Sequence, residues 1–173
     1  MTDETRILVD GAGLTCSDVV RVAEGRASIA VDAAVSERVR RAHETAHAAS
    51  AARPIYGRTT GVGANRDALV RADDASGHDL RLLLSHAAGV GDRLDARTTR
   101  AAMLIRLNQL AAGGSGINPQ FPEALEHALR TDALPAVHIT GPIRVSAISA
   151  SAVACRRSWS VPVTRWRSCR RAR

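Results

Sequence analysis

The sequence predicts a mainly α-helical protein with a few short strands, and three observations support this fold class. The chain has 173 residues, which is enough for one compact domain that buries roughly 70 % of its unfolded surface. Apolar residues make up 45 % of the chain but aromatic residues only 2 %. The core must therefore consist of alanine, valine, leucine and isoleucine, which favours closely packed helices. Apolar residues also recur at helical spacing in several segments.

The first third of the chain predicts two short strands around a short helix, followed by a longer helix. Residues 6–10 read as a strand that ends at glycines, and residues 27–31 read as a second strand. Between them, residues 19–24 predict a short helix that a glycine closes. Asp32 is a good N-cap for the longer helix, which must end before Pro54.

The rest of the chain predicts three further helices. Residues 67–78 read as an exposed connection, and a helix from Asp79 then runs through His86 into a turn of small residues. Residues 97–112 form the strongest helical pattern, which the glycine-rich residues 113–116 terminate. Another helix is expected after Pro119, followed by an extended segment at residues 133–137.

The charge of the chain is concentrated at one end. The net charge is +7, but residues 144–173 contain eight arginines and no acidic residue. The body of the chain is close to neutral, which argues against a nucleic-acid-binding domain. A basic arm with Trp159 and Trp166 as stacking residues stays open as an alternative.

The sequence contains neither a recognisable targeting segment nor a cysteine pattern that indicates a metal site or disulfides. Three cysteines form no CxxC pair, so they indicate neither a zinc knuckle nor a disulfide framework. The first residues are acidic, and no stretch has the length and hydrophobicity of a signal peptide or a membrane span. We expect a soluble, cytoplasmic protein without a membrane partner.

One metal motif occurs in the longer helix. His43, Glu44 and His47 match H-E-x-x-H, which places two imidazoles and a glutamate where they can activate zinc-bound water. The further histidine of the extended motif is missing after His47. A chance match on a solvated, alanine-rich face is the better interpretation, so no metal site is predicted, and a zinc hydrolase is kept as an alternative function.

A glycine-rich loop carries the only tyrosine of the chain. Three glycines and two threonines follow Tyr56 within residues 56–63. The pattern lacks the third glycine of a dinucleotide fingerprint and the Gly-Lys-Ser/Thr of a phosphate loop. It fits a mobile loop that presents a phenol to a small molecule, or a simple turn with a half-buried tyrosine.

Three motifs together resemble the N-terminal part of the aromatic amino acid ammonia-lyases. They are Tyr-Gly-x-x-Thr-Gly-x-Gly at residues 56–63, Leu-Ser-His-Ala-x-Gly-x-Gly at residues 84–91, and Arg-x-Asn-x-Leu-x-x-Gly-x-Ser-Gly at residues 106–116. The resemblance covers residues 6–143. It implies the N-terminal domain of a fumarase/aspartase-like fold, without the long helical bundle that follows it in the family.

The resemblance also implies a chemistry and a quaternary structure. Family members are homotetramers that eliminate ammonia from an aromatic amino acid with a 4-methylidene-imidazol-5-one electrophile, which forms from three residues of the chain. Tyr56 resembles the family's catalytic tyrosine, and a phenol with a pKa of about 10 needs nearby positive charge or hydrogen-bond donors to act as a base. His86 matches the position that contacts the substrate ring. The Ser85-His86 pair resembles the histidine type, which converts L-histidine to urocanate, more than the types that yield a cinnamate.

The chain departs from the family where the electrophile should form. Val145, Ser146 and Ala147 stand near the position of the family's Ala-Ser-Gly, and no Asp-Leu follows them. If the reading frame shifts at residue 144, so that each new codon starts at the third base of an original codon, the possible codons for Arg-Val-Ser-Ala-Ile-Ser can be read as Gly-Val-Gly-Asp-Leu. We therefore expect an incomplete lyase domain at residues 1–143, a frameshifted and disordered tail at residues 144–173, and no activity as translated.

Overall fold

The computed structural model describes residues 6–71, 73, 75–86 and 89–140, and it confirms a mainly helical fold with short strands. The elements in chain order are β1 (Arg6–Val9), α1 (Cys16–Ala23), β2 (Ser28–Val31), α2 (Ala33–Ala52), α3 (Ala75–His86), β3 (Val90–Arg93), α4 (Ala96–Ala111), α5 (Gln120–Arg130) and β4 (His138–Thr140). The predicted tail at residues 144–173 lies outside the described residues. Within the described ranges, none of the helices combines the length and the apolar sequence needed to cross a bilayer.

β1, α1 and β2 form a small β-α-β unit. The two strands pair in parallel, with Ile7 opposite Ile29, and both of these side chains are buried. α1 begins at Cys16, three residues before the predicted start. The reason is a capping box, in which the Thr15 hydroxyl accepts the Asp18 N–H and the Asp18 carboxylate accepts the Thr15 N–H.

α4 is the centre of the hydrophobic core. Its large buried apolar side chains repeat at helical spacing and are Met103, Leu104, Leu107 and Leu110. α1, α2, α5 and β1 all pack against this helix. The strongest helical pattern in the sequence is thus the element on which the other elements assemble.

β3 and β4 form an antiparallel ribbon that the sequence did not predict. β3 contains Gly91, and all four of its residues are exposed, so it lacks the apolar alternation that identifies a strand. The extended segment predicted to begin at residues 133–137 leads directly into β4. α3 begins at Ala75, four residues earlier than predicted, because a glycine at position 77 costs a helix only about 1 kcal/mol.

Acid should weaken the N-terminus of α4. Asp95 caps this helix by accepting the Thr98 N–H at 2.6 Å, and that hydrogen bond lowers the pKa of Asp95. A carboxyl whose pKa is lower in the folded state stabilises the fold above its unfolded pKa of about 4. This stabilisation is lost as the pH falls through the folded pKa.

Urea unfolding of the wild type and Asp95→Asn as a function of pH measures this contribution. Asparagine keeps the cap acceptor but does not titrate. We expect the wild type to lose more stability than the variant below about pH 4. Identical pH profiles for the two proteins would contradict a titrating cap at Asp95.

Candidate active site

The motif at residues 56–63 lies in a closed loop that spans residues 55–70, here called the tyrosine loop. Within the loop, residues 59–61 are joined to residues 68–70 by backbone hydrogen bonds from Gly61 N–H to the Ala68 carbonyl oxygen and from Val70 N–H to the Thr59 carbonyl oxygen, both 2.9 Å. These bonds flank an antiparallel bridge between Thr60 and Leu69. The loop is therefore a ring of main chain fixed at its base.

The two threonines of the motif stabilise the base of the tyrosine loop. The Thr59 hydroxyl accepts the Ile55 N–H at 2.7 Å, and the Ile55 carbonyl oxygen accepts the Thr59 N–H at 2.9 Å. Thr60 is buried, and its hydroxyl donates to the Gly61 carbonyl oxygen at 3.1 Å. The two threonines therefore fix the backbone that follows Tyr56.

The loop presents the Tyr56 side chain to solvent. This side chain is 64 % exposed, so the tyrosine is not half-buried. Its phenol oxygen accepts a hydrogen bond from the Gly63 N–H at 3.0 Å, the only hydrogen bond of this phenol within the described residues. Gly63 has a φ of 59°, a conformation that glycine adopts without steric cost. The loop thus aims one backbone donor at the phenol oxygen.

The second motif, at residues 84–91, connects α3 to the β3–β4 ribbon. The Ser85 hydroxyl donates to the Leu82 carbonyl oxygen at 2.7 Å in the last turn of α3. Gly89 packs against the His138 side chain, and the His138 Nδ1 donates to the Gly91 carbonyl oxygen at 2.7 Å. His138 was not singled out from the sequence, since a lone histidine after an extended segment carries no recognisable pattern.

His86 is the last residue of α3, and its side chain lies outside the described part of the chain. The predicted contact between His86 and a substrate ring therefore stays a prediction. The Tyr56 phenol oxygen accepts the Gly63 N–H, and within the described residues it makes no hydrogen bond to α3.

The third motif, at residues 106–116, connects three elements. The Asn108 side-chain oxygen on α4 accepts the Gly11 N–H at 3.0 Å, just beyond the end of β1. After α4, the Gly116 carbonyl oxygen accepts a hydrogen bond from Nδ1 of His43 on α2 at 3.0 Å. The described contacts of this motif are thus structural, and they join β1, α2 and α4.

One arginine that sequence reasoning missed reinforces the same junction. The Arg38 guanidinium on α2 donates to the Asp10 carbonyl oxygen at 2.6 Å and to the Ala111 carbonyl oxygen at 3.0 Å. Nothing in the local sequence distinguishes Arg38 from the other arginines of α2. Its role depends on the packing of three distant segments.

The geometry does not favour the zinc interpretation of the H-E-x-x-H match. His43 is engaged by Gly116, Glu44 pairs with Arg40, and His47 is exposed. Over the described residues, no group of three histidine, cysteine, aspartate or glutamate side chains comes together to hold a metal. A chance match on a charged helix surface therefore stays the better interpretation of the motif.

The residues expected near the electrophile, Val145, Ser146 and Ala147, lie outside the described residues. Their sequence does not fit the tripeptide from which the family's electrophile forms, because alanine replaces the glycine of Ala-Ser-Gly and brings a Cβ where the family has none.

Known proteins resemble this chain in sequence. A family model for aromatic amino acid lyases matches residues 14–152. A histidine ammonia-lyase from Chloroflexus aurantiacus is 35 % identical over 144 residues, which cover 81 % of this chain and 28 % of that protein. The chain therefore spans less than a third of the length of the curated relatives that it matches.

Solved structures resemble it in fold. The tyrosine aminomutase from Streptomyces globisporus superposes with a TM-score of 0.73 at 34 % identity, over 78 % of this chain and 26 % of that one. The ergothionase from Treponema denticola superposes with a TM-score of 0.76 at 26 % identity, over 84 % of this chain and 30 % of that one. The described elements match the N-terminal part of the histidine ammonia-lyase and aminomutase fold. Because the family model covers most of the chain and the fold agrees with it, this chain belongs to the aromatic amino acid lyase family.

Proposed function

We propose that this chain is the N-terminal, tyrosine-bearing part of an ammonia-lyase that converts L-histidine to urocanate and ammonia. The observation that carries the proposal is the exposed Tyr56 phenol, held by the Gly63 N–H in a closed loop. Two observations support histidine as the substrate. Curated relatives of this chain are histidine ammonia-lyases, and the Ser85-His86 pair resembles the histidine type.

Tyr56 is proposed as the base of the elimination. The phenolate oxygen takes a proton from the β-carbon of the substrate, and the electron pair of that C–H bond forms the Cα–Cβ double bond. The Cα–N bond breaks, and the amino group leaves as ammonia. A backbone N–H that donates to the phenol oxygen supports negative charge on it, and the Gly63 N–H is in position to do so.

His86 is proposed to contact the ring of the substrate. It follows Ser85, whose hydroxyl is tied to the Leu82 carbonyl oxygen, at the C-terminus of α3. A helix C-terminus favours hydrogen-bond donors and positive charge, so an imidazole there can donate to a ring nitrogen of a histidine substrate. His86 is thus assigned to substrate binding and not to proton abstraction.

We further propose that this chain is inactive as translated. The family's electrophile, a 4-methylidene-imidazol-5-one, activates the substrate for elimination, and residues 145–147 do not supply the tripeptide that makes it. The sharp rise in arginine content from residue 144 supports a change of reading frame at this point.

Exposed apolar side chains support a homotetrameric assembly of the intact protein. Leu69, Leu84 and Val90 are each more than 60 % exposed, and they lie on the tyrosine loop, α3 and β3. Exposed large apolar side chains can mark surfaces that bind other protein. We propose that further chain and other subunits cover them.

The function is tested by comparing two proteins made from the same gene. One is the chain as translated; the other, the frame-restored protein, continues from codon 144 in the frame that encodes Gly-Asp-Leu, with Ala-Ser placed directly before that Gly to complete the Ala-Ser-Gly of the family. We expect the frame-restored protein to form urocanate from L-histidine, and the chain as translated to form none. If the frame-restored protein releases ammonia from neither L-histidine nor L-phenylalanine nor L-tyrosine, the proposed function is wrong.

A further inference from the structure

A cavity lies at the start of β1, at the opposite end of this strand from the Asp10–Gly11 turn. It has a volume of about 590 Å³ and is bounded by the start of β1, the segment between α1 and β2, and the end of α5. Three guanidinium groups line it, against one carboxylate. The charged residues are Arg6, Arg100, Arg130 and Asp132. No step of the proposed lyase reaction uses this cavity.

Arg100 is fixed at one wall of the cavity. Its Nε donates to Asp132 Oδ1 at 2.8 Å, and its Nη1 donates to the Ala23 carbonyl oxygen at 3.0 Å. A guanidinium group has five N–H donors in a rigid fork. These two contacts orient the fork and occupy one donor each.

Asp132 is held in an unusual backbone conformation beside Arg100. It has a φ of 53°, and the Ala133 N–H closes the end of α5 on the Ala128 carbonyl oxygen at 2.9 Å. This arrangement is a Schellman cap, in which glycine is the usual residue at the left-handed position. An aspartate here keeps its carboxylate on Arg100 and leaves the other two arginines of the cavity without it.

Arg6 and Arg130 supply the positive charge that remains. Within the described residues, the Arg6 side chain has no ion-pair or hydrogen-bond partner. Arg130 reaches only Glu126, at 4.0 Å, and its side chain is 61 % exposed. Among the described residues, Asp132 is the one carboxylate that lines the cavity, and it pairs with Arg100, so the guanidinium groups of Arg6 and Arg130 leave the cavity basic.

We propose that this cavity binds a small phosphorylated molecule. Guanidinium groups bind phosphate oxygens through paired N–H donors, and several around one site favour a multiply charged anion over a monovalent one. A volume of about 590 Å³ suits a ligand of metabolite size. Ser28 also lines the cavity, and its hydroxyl adds a neutral donor for a phosphate oxygen.

The site is tested on the chain as translated, with pyrophosphate as the probe and sodium chloride at matched ionic strength as the reference. Thermal unfolding is followed while pyrophosphate is titrated. We expect a saturable rise in Tm that chloride does not produce, because a ligand that binds only the folded state stabilises it. Succinate in a parallel titration separates phosphate recognition from general anion binding, and we expect it to have the weaker effect.

Two variants locate the site. Arg6→Gln and Arg130→Gln each remove a guanidinium group that has no strong partner, and each should weaken pyrophosphate binding by about tenfold. Arg71→Gln is the matched control, since Arg71 is also an exposed arginine, at 83 %, but pairs with Asp73 away from the cavity. A Tm that follows ionic strength alone, equal stabilisation by succinate, or unchanged affinity in both cavity variants would each overturn the proposal.

Discussion

Replacing Tyr56 by phenylalanine in the frame-restored protein should lower kcat for urocanate formation by a factor of about 10² to 10⁴. This is the usual effect of removing a positioned base, and it corresponds to about 3–5 kcal/mol of transition-state free energy. Phenylalanine preserves the ring but removes the oxygen that accepts the Gly63 N–H. Because Tyr56 is not assigned to ground-state binding, KM should change much less than kcat.

A control on the same loop separates loss of the base from damage to the loop. Asp67 lies on the tyrosine loop and is fully solvent-facing, with a side-chain exposure of 90 %. Asp67→Asn should leave kcat within about threefold of the wild type, as most exposed substitutions do. If Tyr56→Phe retains more than a tenth of the activity, Tyr56 is not the base; if both variants lose activity equally, the loop and not the phenol is responsible.

Replacing Gly11 by alanine should lower the free energy of unfolding by about 3 kcal/mol or more. Gly11 has a φ of +91°, and a Cβ added there would lie 2.5 Å from the Ala112 backbone nitrogen. The left-handed conformation costs about 1–2 kcal/mol for a residue with a Cβ, and overpacking adds about 1–3 kcal/mol. The clash also forces the β1 turn away from Asn108, whose side chain accepts the Gly11 N–H.

Gly25→Ala is the matched control for this prediction. Gly25 also has a positive φ, of +70°, but no atom lies within 4 Å of a Cβ added there. Its replacement should cost only the conformational term, about 1–2 kcal/mol. Urea unfolding of both variants measures the difference. If the two variants are destabilised equally, the Ala112 backbone at the end of α4 does not limit the space at Gly11.

The sequence predicted those elements whose signals are local. α2, α4 and α5 were predicted within one residue or so at their starts, because caps such as Asp32 and helical apolar spacing act within one segment. The β3–β4 ribbon escaped prediction because its residues are exposed and its pairing joins segments that are far apart in sequence. Strand pairing of this kind depends on tertiary contacts and leaves little pattern in either strand.

The geometry of the candidate site could not be predicted from the sequence. The motif around Tyr56 left a displayed phenol and a half-buried tyrosine open; the structure shows an exposed phenol and its hydrogen-bond donor, Gly63. That contact depends on how the closed tyrosine loop folds back, which residue spacing alone does not determine. In the same way, the third motif singled out Asn108, but only the packing of α4 on β1 reveals that it holds the Gly11 N–H.

The nucleotide sequence of the gene from codon 140 onward tests most directly whether the tyrosine loop and the electrophile are encoded in different reading frames. We predict that the shifted frame encodes Gly-Asp-Leu from about codon 146 and then continues with codons that resemble the rest of the aromatic amino acid lyases. If none of the reading frames after codon 143 contains lyase-like codons, the frameshift and the inactive-lyase interpretation of this chain are both wrong.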